Sequence, residues 1–312
     1  MTMISYAQNG EDVRLARAFP SDRPGFYIDV GASYPDFDSV TKHLYDHGWQ
    51  GINIEPGRHV FAAPAAGRPR DINLEIGLSD HEGELVFHEA VTSLGMSSFD
   101  PDFVGGLKRD GFPVEARSVR VTTLAKICAE HVGDRTIDLL KIDVEAHETE
   151  VIRGADWTRW RPRCLVVEAT RPERWEPILL GAGYRFIVFD GLNRFYVRSE
   201  DTALASKLIT PPNVLDNFEL HRYIVARDEL RRQFEAERAE LVRQCDDLRA
   251  ERDAARAARD QAQSAVEQLE ARLNQFTAYG PNALAVARAA QHLAQRYPRL
   301  AGAVKRMARR AG

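Results

Sequence analysis

The rhythm of apolar positions divides the chain. Up to about residue 215, short runs of β-branched and aromatic residues alternate with stretches in which apolar residues recur at helical spacing. The runs predict strands over 25–31, 51–55, 72–78, 84–88, 118–121, 137–143, 164–168, 185–189 and 194–197. Helical spacing covers 39–47, 124–131, 148–153 and 174–180. Strands alternating with helices predict an α/β fold, a mostly parallel sheet covered on both faces. The last two strands flank Asp190, Gly191, Leu192 and Asn193, and read as an antiparallel hairpin at a sheet edge. The stretch 90–117 shows no such rhythm. It is expected as a structureless insertion, either folded over an acceptor or a mobile surface loop without a role.

Pro211 and Pro212 close this body, residues 1–215. Residues 216–276 are then rich in Arg, Glu, Ala and Gln and contain no proline. Steps of four and three residues pick out Leu241, Cys245, Leu248, Arg252, Ala255, Arg259, Ala262, Val266, Leu269, Leu273 and Phe276. This heptad seam predicts a coiled coil and a homo-oligomer. A single solvated helix held by Glu–Arg pairs is the other arrangement such a composition allows. The shared register of the two apolar ends favours the coil.

Charge adds a third region. The 312 residues carry a net charge of −4, yet residues 277–312 hold seven basic side chains and no acid, leaving −11 on residues 1–276. In that tail Leu293, Tyr297, Leu300, Val304 and Met307 lie at helical spacing, with Pro298 and Gly302 interrupting. Such a basic, partly apolar tail fits an anionic membrane surface. Nucleic acid is not expected, because no aromatic platform accompanies the arginines. Three scattered cysteines (Cys128, Cys164, Cys245) fit a reducing compartment. Neither a leader-like start nor an apolar run of spanning length is evident. The expected location is cytoplasmic, peripheral at the inner face of a membrane.

The chemistry sits at strand ends. The run Phe26 to Val30 breaks into Gly31, Ala32 and Ser33, and the next predicted strand ends on Glu55. A glycine lets backbone approach a ligand, and an acid closing the next strand accepts hydrogen bonds from ribose hydroxyls. Only Gly31 is present where a dinucleotide fingerprint needs three glycines, which weighs against NAD and FAD. S-adenosylmethionine, lacking a phosphate, tolerates the looser turn.

A second cluster follows the strand at 137–143: Asp143, Glu145, His147 and Glu148. A third strand ends on Glu168. Methylating a hydroxyl requires removing its proton, by a base or through a divalent metal. His147 titrates nearest working pH and is the expected base. Asp143 and Glu168 either orient it or bind a metal such as magnesium. Glu148 is expected to favour the start of the following helix through its dipole.

Several blocks together give a resemblance. Residues 5–12, 27–32, 38–41, 48–56, 141–145, 167–170 and 190–196 resemble the FkbM-type S-adenosylmethionine-dependent methyltransferases, over roughly residues 4–220. The resemblance implies a class I methyltransferase (Rossmann-like) fold with seven main strands, one antiparallel at the edge. It also implies methyl transfer to a hydroxyl of a sugar or polyketide, with bacterial members tied to surface polysaccharide. By position, Asp29, Gly31 and Ala32 would line the methionine part of the cofactor, and Ser39 would open the next helix beside it. Glu55 would hold the ribose. Leu78, Ser79 and Asp80 would border the adenine, with Gln8 and Asp12 on an N-terminal lid. Ala146 departs from the family's usual glycine after the second acid, and Pro64 should shorten or kink the helix after Glu55.

The expected function is an S-adenosylmethionine-dependent O-methyltransferase acting on a sugar or glycan hydroxyl, in surface polysaccharide or glycolipid synthesis. The alternative is an inactive methyltransferase-like scaffold that assembles partners through its coil.

Overall fold

The structure, a computed structural model, describes residues 2–19, 23–278 and 280–296. In chain order it runs β1 (Met3–Ser5), α1 (Glu11–Ala18), β2 (Phe26–Val30), α2 (Lys42–Asp46), β3 (Gln50–Ile54), α3 (Arg58–Gly67), β4 (Ile72–Leu74), β5 (Gly77–Leu78), β6 (Gly83–Ala90) and α4 (Pro101–Arg109). It continues through β7 (Val114–Thr122), α5 (Leu124–Ile127), β8 (Leu139–Ile142), α6 (Glu148–Arg153), β9 (Cys164–Glu168), α7 (Pro172–Gly181), β10 (Tyr184–Phe189), β11 (Asn193–Arg198), α8 (Thr202–Leu208), β12 (Phe218–Leu220), α9 (His221–Ala278) and α10 (Pro281–Arg296). Two units form: Met1–Glu229 and Leu230–Gly312.

The first unit is built on a seven-stranded sheet, in the order β10-β11-β9-β8-β2-β3-β4. Strand β11 runs antiparallel to both neighbours; the other pairs are parallel. Strands β2 and β8 are buried along their whole length, which is why they read as continuous apolar runs rather than alternating ones. Successive side chains feed opposite faces. Ile28, Val30, Leu140, Ile142, Leu165 and Val167 join the core on one face with Trp175. Tyr27, Leu139, Cys164, Val166 and Phe195 join Leu15 and Leu208 on the other. The chain winds from β2 outward through β3 to β4, then returns to the far side of β2 as β8. That reversal opens a crevice at the carboxyl ends of β2 and β8.

Several expectations need correction. The run 72–78 is not one strand. Strand β4 stays in the main sheet, while β5 joins a second sheet, β5-β7-β6. Its Gly77 sits so close to Phe99 that a Cβ there would lie 2.5 Å from the ring. The insertion is not structureless either. It holds α4, started by Asp100, whose carboxylate accepts from the Phe103 amide at 2.8 Å, with Pro101 at the first helical position. Helix α1 went unpredicted because its buried Glu11, Asp12 and Arg14 disguise its apolar face. Helix α2 begins at Lys42, not at Ser39. Thr41 holds the cap position but its hydroxyl is committed elsewhere, to Asp29 at 2.6 Å. Helix α3 runs on past Pro64 to Gly67.

In the second unit α9 continues from Leu230 and α10 follows it. The stretch 297–312, with Tyr297, Leu300, Val304 and Met307, lies outside the described residues. Among the described residues no helix is long and apolar enough to cross a membrane.

Candidate functional site

A cavity of about 470 Å³ opens at the carboxyl ends of β2, β3, β8 and β9. The strands deliver its polar groups: Asp29 from β2, Glu55 after β3, Asp143 and Glu145 after β8, and Glu168 ending β9. The loop after β2 adds Gly31, Ala32 and Ser39, and the N-terminal segment adds Gln8. The second sheet and the insertion contribute Phe87, Met96 and Phe99.

The first turn of the cavity is closed on itself. The Gly31 and Ala32 amides both donate to the Ile54 carbonyl, at 2.9 and 3.2 Å. The Ser33 amide donates to Glu55 Oε2 at 2.9 Å, and Gly57 donates to Oε1 at 2.6 Å. Gly31 has φ +74°, and a Cβ there would lie 1.8 Å from the Asp143 carbonyl oxygen, so both conformation and space demand glycine. Glu55 is buried, and desolvation pushes its carboxyl up to about 7 despite the two amides.

Asp29 is held from below. Its Oδ2 accepts from Thr41, and Lys141 Nζ stands 3.4 Å from its Oδ1 and 3.4 Å from Asp143 Oδ2. The same ammonium donates to the Gly31 carbonyl at 2.6 Å. Burial alone would lower the Lys141 pKa, but Asp143 and Asp29 more than offset it and raise it. Arg68, fully buried, ties this wall together. It donates to Ser39 Oγ (2.5 Å), Thr41 Oγ1 (2.5 Å) and the Pro35 carbonyl (2.6 Å), and lies 4.0 Å from Asp29. Sequence reasoning gave no role to Arg68, Lys141 or Glu145. Glu145 sat in a recognised acidic run; Arg68, between Gly67 and Pro69, carried no signal at all.

Asp143, Glu145 and Glu168 come together, each with a carboxylate oxygen within 4.8 Å of the others. Burial and then repulsion from Asp143 raise the proton affinities of both Glu145 and Glu168. Three carboxylates this close cannot all remain ionised without a compensating cation or proton. The turn that presents Glu145 is left-handed at two successive residues, Glu145 (φ +52°) and Ala146 (φ +75°). Glu148 braces it by accepting from the Val144 and Ala146 amides, at 3.3 and 3.1 Å.

Four residues expected at the site do not line the cavity. His147 is buried with Nε2 3.3 Å from Ser79 Oγ and its ring 5.3 Å from Phe99; burial lowers its pKa. Ser79 is therefore turned towards His147, although its neighbour Leu78 does reach the cavity. Asp80 is paired with His81 at 2.7 Å. Asp12 accepts from Ser5 Oγ (2.6 Å) and the Tyr6 amide (2.7 Å), fastening the segment that carries Gln8.

A sequence model of the methyltransferase FkbM domain matches residues 29–186, half of the chain and the part that forms this crevice. The chain belongs to the FkbM methyltransferase family. It is 33% identical over 108 residues to the methyltransferase sdnD of Sordaria araneosa, a match spanning 32% of this chain and 37% of that one. The crystal structure of methyltransferase FkbM from Methylobacillus flagellatus KT aligns at 14% identity with a TM-score of 0.38, covering 55% of this chain and 43% of that chain. The chain thus spans less than half the length of these relatives. The family is one of methyltransferases, and membership in it implies S-adenosylmethionine as the cofactor.

The residues present fit that cofactor. Among the described residues, six acids (Asp29, Asp38, Glu55, Asp143, Glu145, Glu168) line the cavity against one cation, Lys141, which is already committed to backbone and carboxylates. The amides that would face a pyrophosphate in a dinucleotide site are bonded to protein oxygens instead. A diphosphate would meet a predominantly acidic wall here, whereas a sulfonium and an α-amino group would be welcome.

Proposed function

We propose that the protein is an O-methyltransferase acting on a hydroxyl of a sugar or glycan, with the Asp143–Glu145–Glu168 cluster receiving the proton. The observation that carries this reading is the pairing of an acidic, phosphate-excluding cofactor wall with a carboxylate cluster in one cavity. S-adenosylmethionine, when bound, supplies a methyl group on a sulfonium that departs as a neutral thioether. Glu55 accepts the ribose hydroxyls, each of its oxygens spending one lone pair on an amide and keeping another free. Asp29 and the Gly31–Ala32 turn hold the methionine part. Lys141 stands against Asp143 and Asp29, so the crowding falls on Glu145 and Glu168. The ionised member of that pair would take up the proton of the acceptor hydroxyl. A base of raised pKa is better matched to this task than an ordinary carboxylate. Phe87, Met96 and Phe99 offer a ring of apolar surface to an acceptor.

His147, off the cavity wall, is not the base in this reading. Glu145→Gln should lower turnover by roughly 100-fold or more, and His147→Ala by about tenfold at most. Equal losses would return the role to the histidine. Calorimetry should show S-adenosylmethionine binding and no NAD binding, and release of S-adenosylhomocysteine over a panel of glycan acceptors identifies the substrate. A divalent cation is a second reading, favoured by three carboxylate oxygens within 4.8 Å of one another. Magnesium would relieve the same crowding and acidify the hydroxyl directly. Full turnover in EDTA supports the proton-accepting cluster; loss in EDTA with recovery in magnesium supports the metal.

A further inference from the structure

Helix α9 runs for 58 residues, about 87 Å at 1.5 Å per residue. Beyond Leu230 the side chains described along it are exposed. Six of its apolar residues nevertheless fall on one stripe. Phe234, Leu241, Leu248, Ala255, Ala262 and Leu269 follow one another at intervals of seven. Phe234 is 61% exposed, Leu248 64% and Leu269 62%. Apolar side chains left this open, in register over six heptads, mark a surface that another surface covers.

We propose that the partner is a second copy of this chain, lying parallel and in register as a two-stranded coiled coil. The other seam position decides the arrangement. It is held by Arg231, Arg238, Cys245, Arg252, Arg259 and Val266. Long basic side chains can lie along the seam of a pair of helices and lift their heads to water at its edge; the enclosed core of a trimer or tetramer leaves them no exit. In the single chain the heads already turn sideways, Arg252 to Asp253 (2.9 Å) and Arg259 to Asp260 (3.2 Å).

Charge order fixes the direction. Glu237 immediately precedes Arg238, and Glu251 precedes Arg252. In a parallel in-register pair, the residue before a seam position lies beside the partner helix's seam residue, and also faces the residue five places further along. Glu251 then meets both Arg252 and Arg256 of the second copy, and Glu237 meets Arg238. An antiparallel pair centred on the same heptads sets Glu251 against Glu251 and Arg249 against Arg249.

The test uses the full-length protein. Light scattering coupled to gel filtration should give a dimer, and Leu248→Glu should give a monomer that still binds S-adenosylmethionine. Direction is read in a Cys245→Ala background carrying Leu269→Cys: mild oxidation should join the two copies covalently at residue 269. A monomeric wild type, a trimer or larger, or a dimer that does not cross-link at 269 would each overturn the proposal.

Discussion

The hydroxyl of Ser98 donates a 2.5 Å hydrogen bond to the backbone carbonyl of Glu145. Ser98 is fully buried, bridges His88 through both backbone groups at 3.0 Å, and accepts from the Asp100 amide at 2.9 Å. The insertion is thereby latched to the turn that aims a carboxylate into the cavity. Removing the hydroxyl leaves this half-buried carbonyl, and the Asp100 amide, short of a partner, at about 1–2 kcal/mol. Ser98→Ala should speed hydrogen exchange at the Val144 and Ala146 amides by about tenfold, since 1.4 kcal/mol is tenfold in an equilibrium. S-adenosylmethionine affinity should be unaffected, because the Glu55 side of the cavity is untouched. Unchanged exchange at those two amides would show that the latch does not hold the turn.

Ala146 occupies a left-handed backbone position, φ +75°. A residue with a Cβ costs about 1–2 kcal/mol there, and glycine avoids the cost while losing some entropy on folding. Ala146→Gly should therefore raise stability by about 0.5–1 kcal/mol, a melting-point gain of a few degrees for a body of this size. A calorimetric scan measures it; a fall in melting temperature would mean that the methyl group's burial outweighs the strain.

Arg68 supports the cofactor wall without reaching the cavity itself. Arg68→Met would keep much of its bulk but strip Ser39, Thr41 and the Pro35 carbonyl of their donor and leave Asp29 with Thr41 and Lys141. Breaking a buried charge network from one side costs about 3–5 kcal/mol. Denaturant unfolding should show a loss of that size, with weaker S-adenosylmethionine binding in the fraction that remains folded. A stability within 1 kcal/mol of wild type, on the order of a surface change, would show that the network is dispensable.

Much of this site is local enough to read from sequence. Asp29, Glu55 and Glu168 end or follow strands whose apolar runs are unmistakable, so their shared rim follows from parallel pairing alone. The second sheet was harder. The chain passes from β4 into β5 within a few residues, and the two part only in their strand partners, β3 for one and β7 for the other. His147 shows where proximity in sequence misleads. It is four residues from Asp143, yet two left-handed residues intervene, and the turn sends its ring towards Ser79 while Glu145 goes to the cavity. Arg68 lay beyond reach because its five oxygen partners come from five separate places in the chain. Ser39 was misplaced for a related reason. The hydroxyl that could have capped the helix from Thr41 serves Asp29, so the helix starts late.

Buried acids make stability depend on pH in a definite direction. Glu11 is almost wholly inaccessible, accepting from the Asn9 amide and from Asn193 Nδ2, both at 2.7 Å. Desolvation outweighs these bonds and pushes its carboxyl up to about 7. The folded state therefore holds this proton more tightly than the unfolded chain, whose glutamates titrate near 4.3. The contribution to stability is fully present below the unfolded value and is lost as pH rises through the folded one, amounting to about 3–4 kcal/mol once both states are ionised. Asp12, raised by burial to about 6, acts with the same sign. Denaturant midpoints should fall steadily between pH 5 and pH 8. Glu11→Gln, which cannot ionise, should flatten that fall even though it begins from a lower plateau. A wild-type midpoint constant across this range, or a slope untouched by the substitution, would mean that Glu11 stays ionised in its buried place.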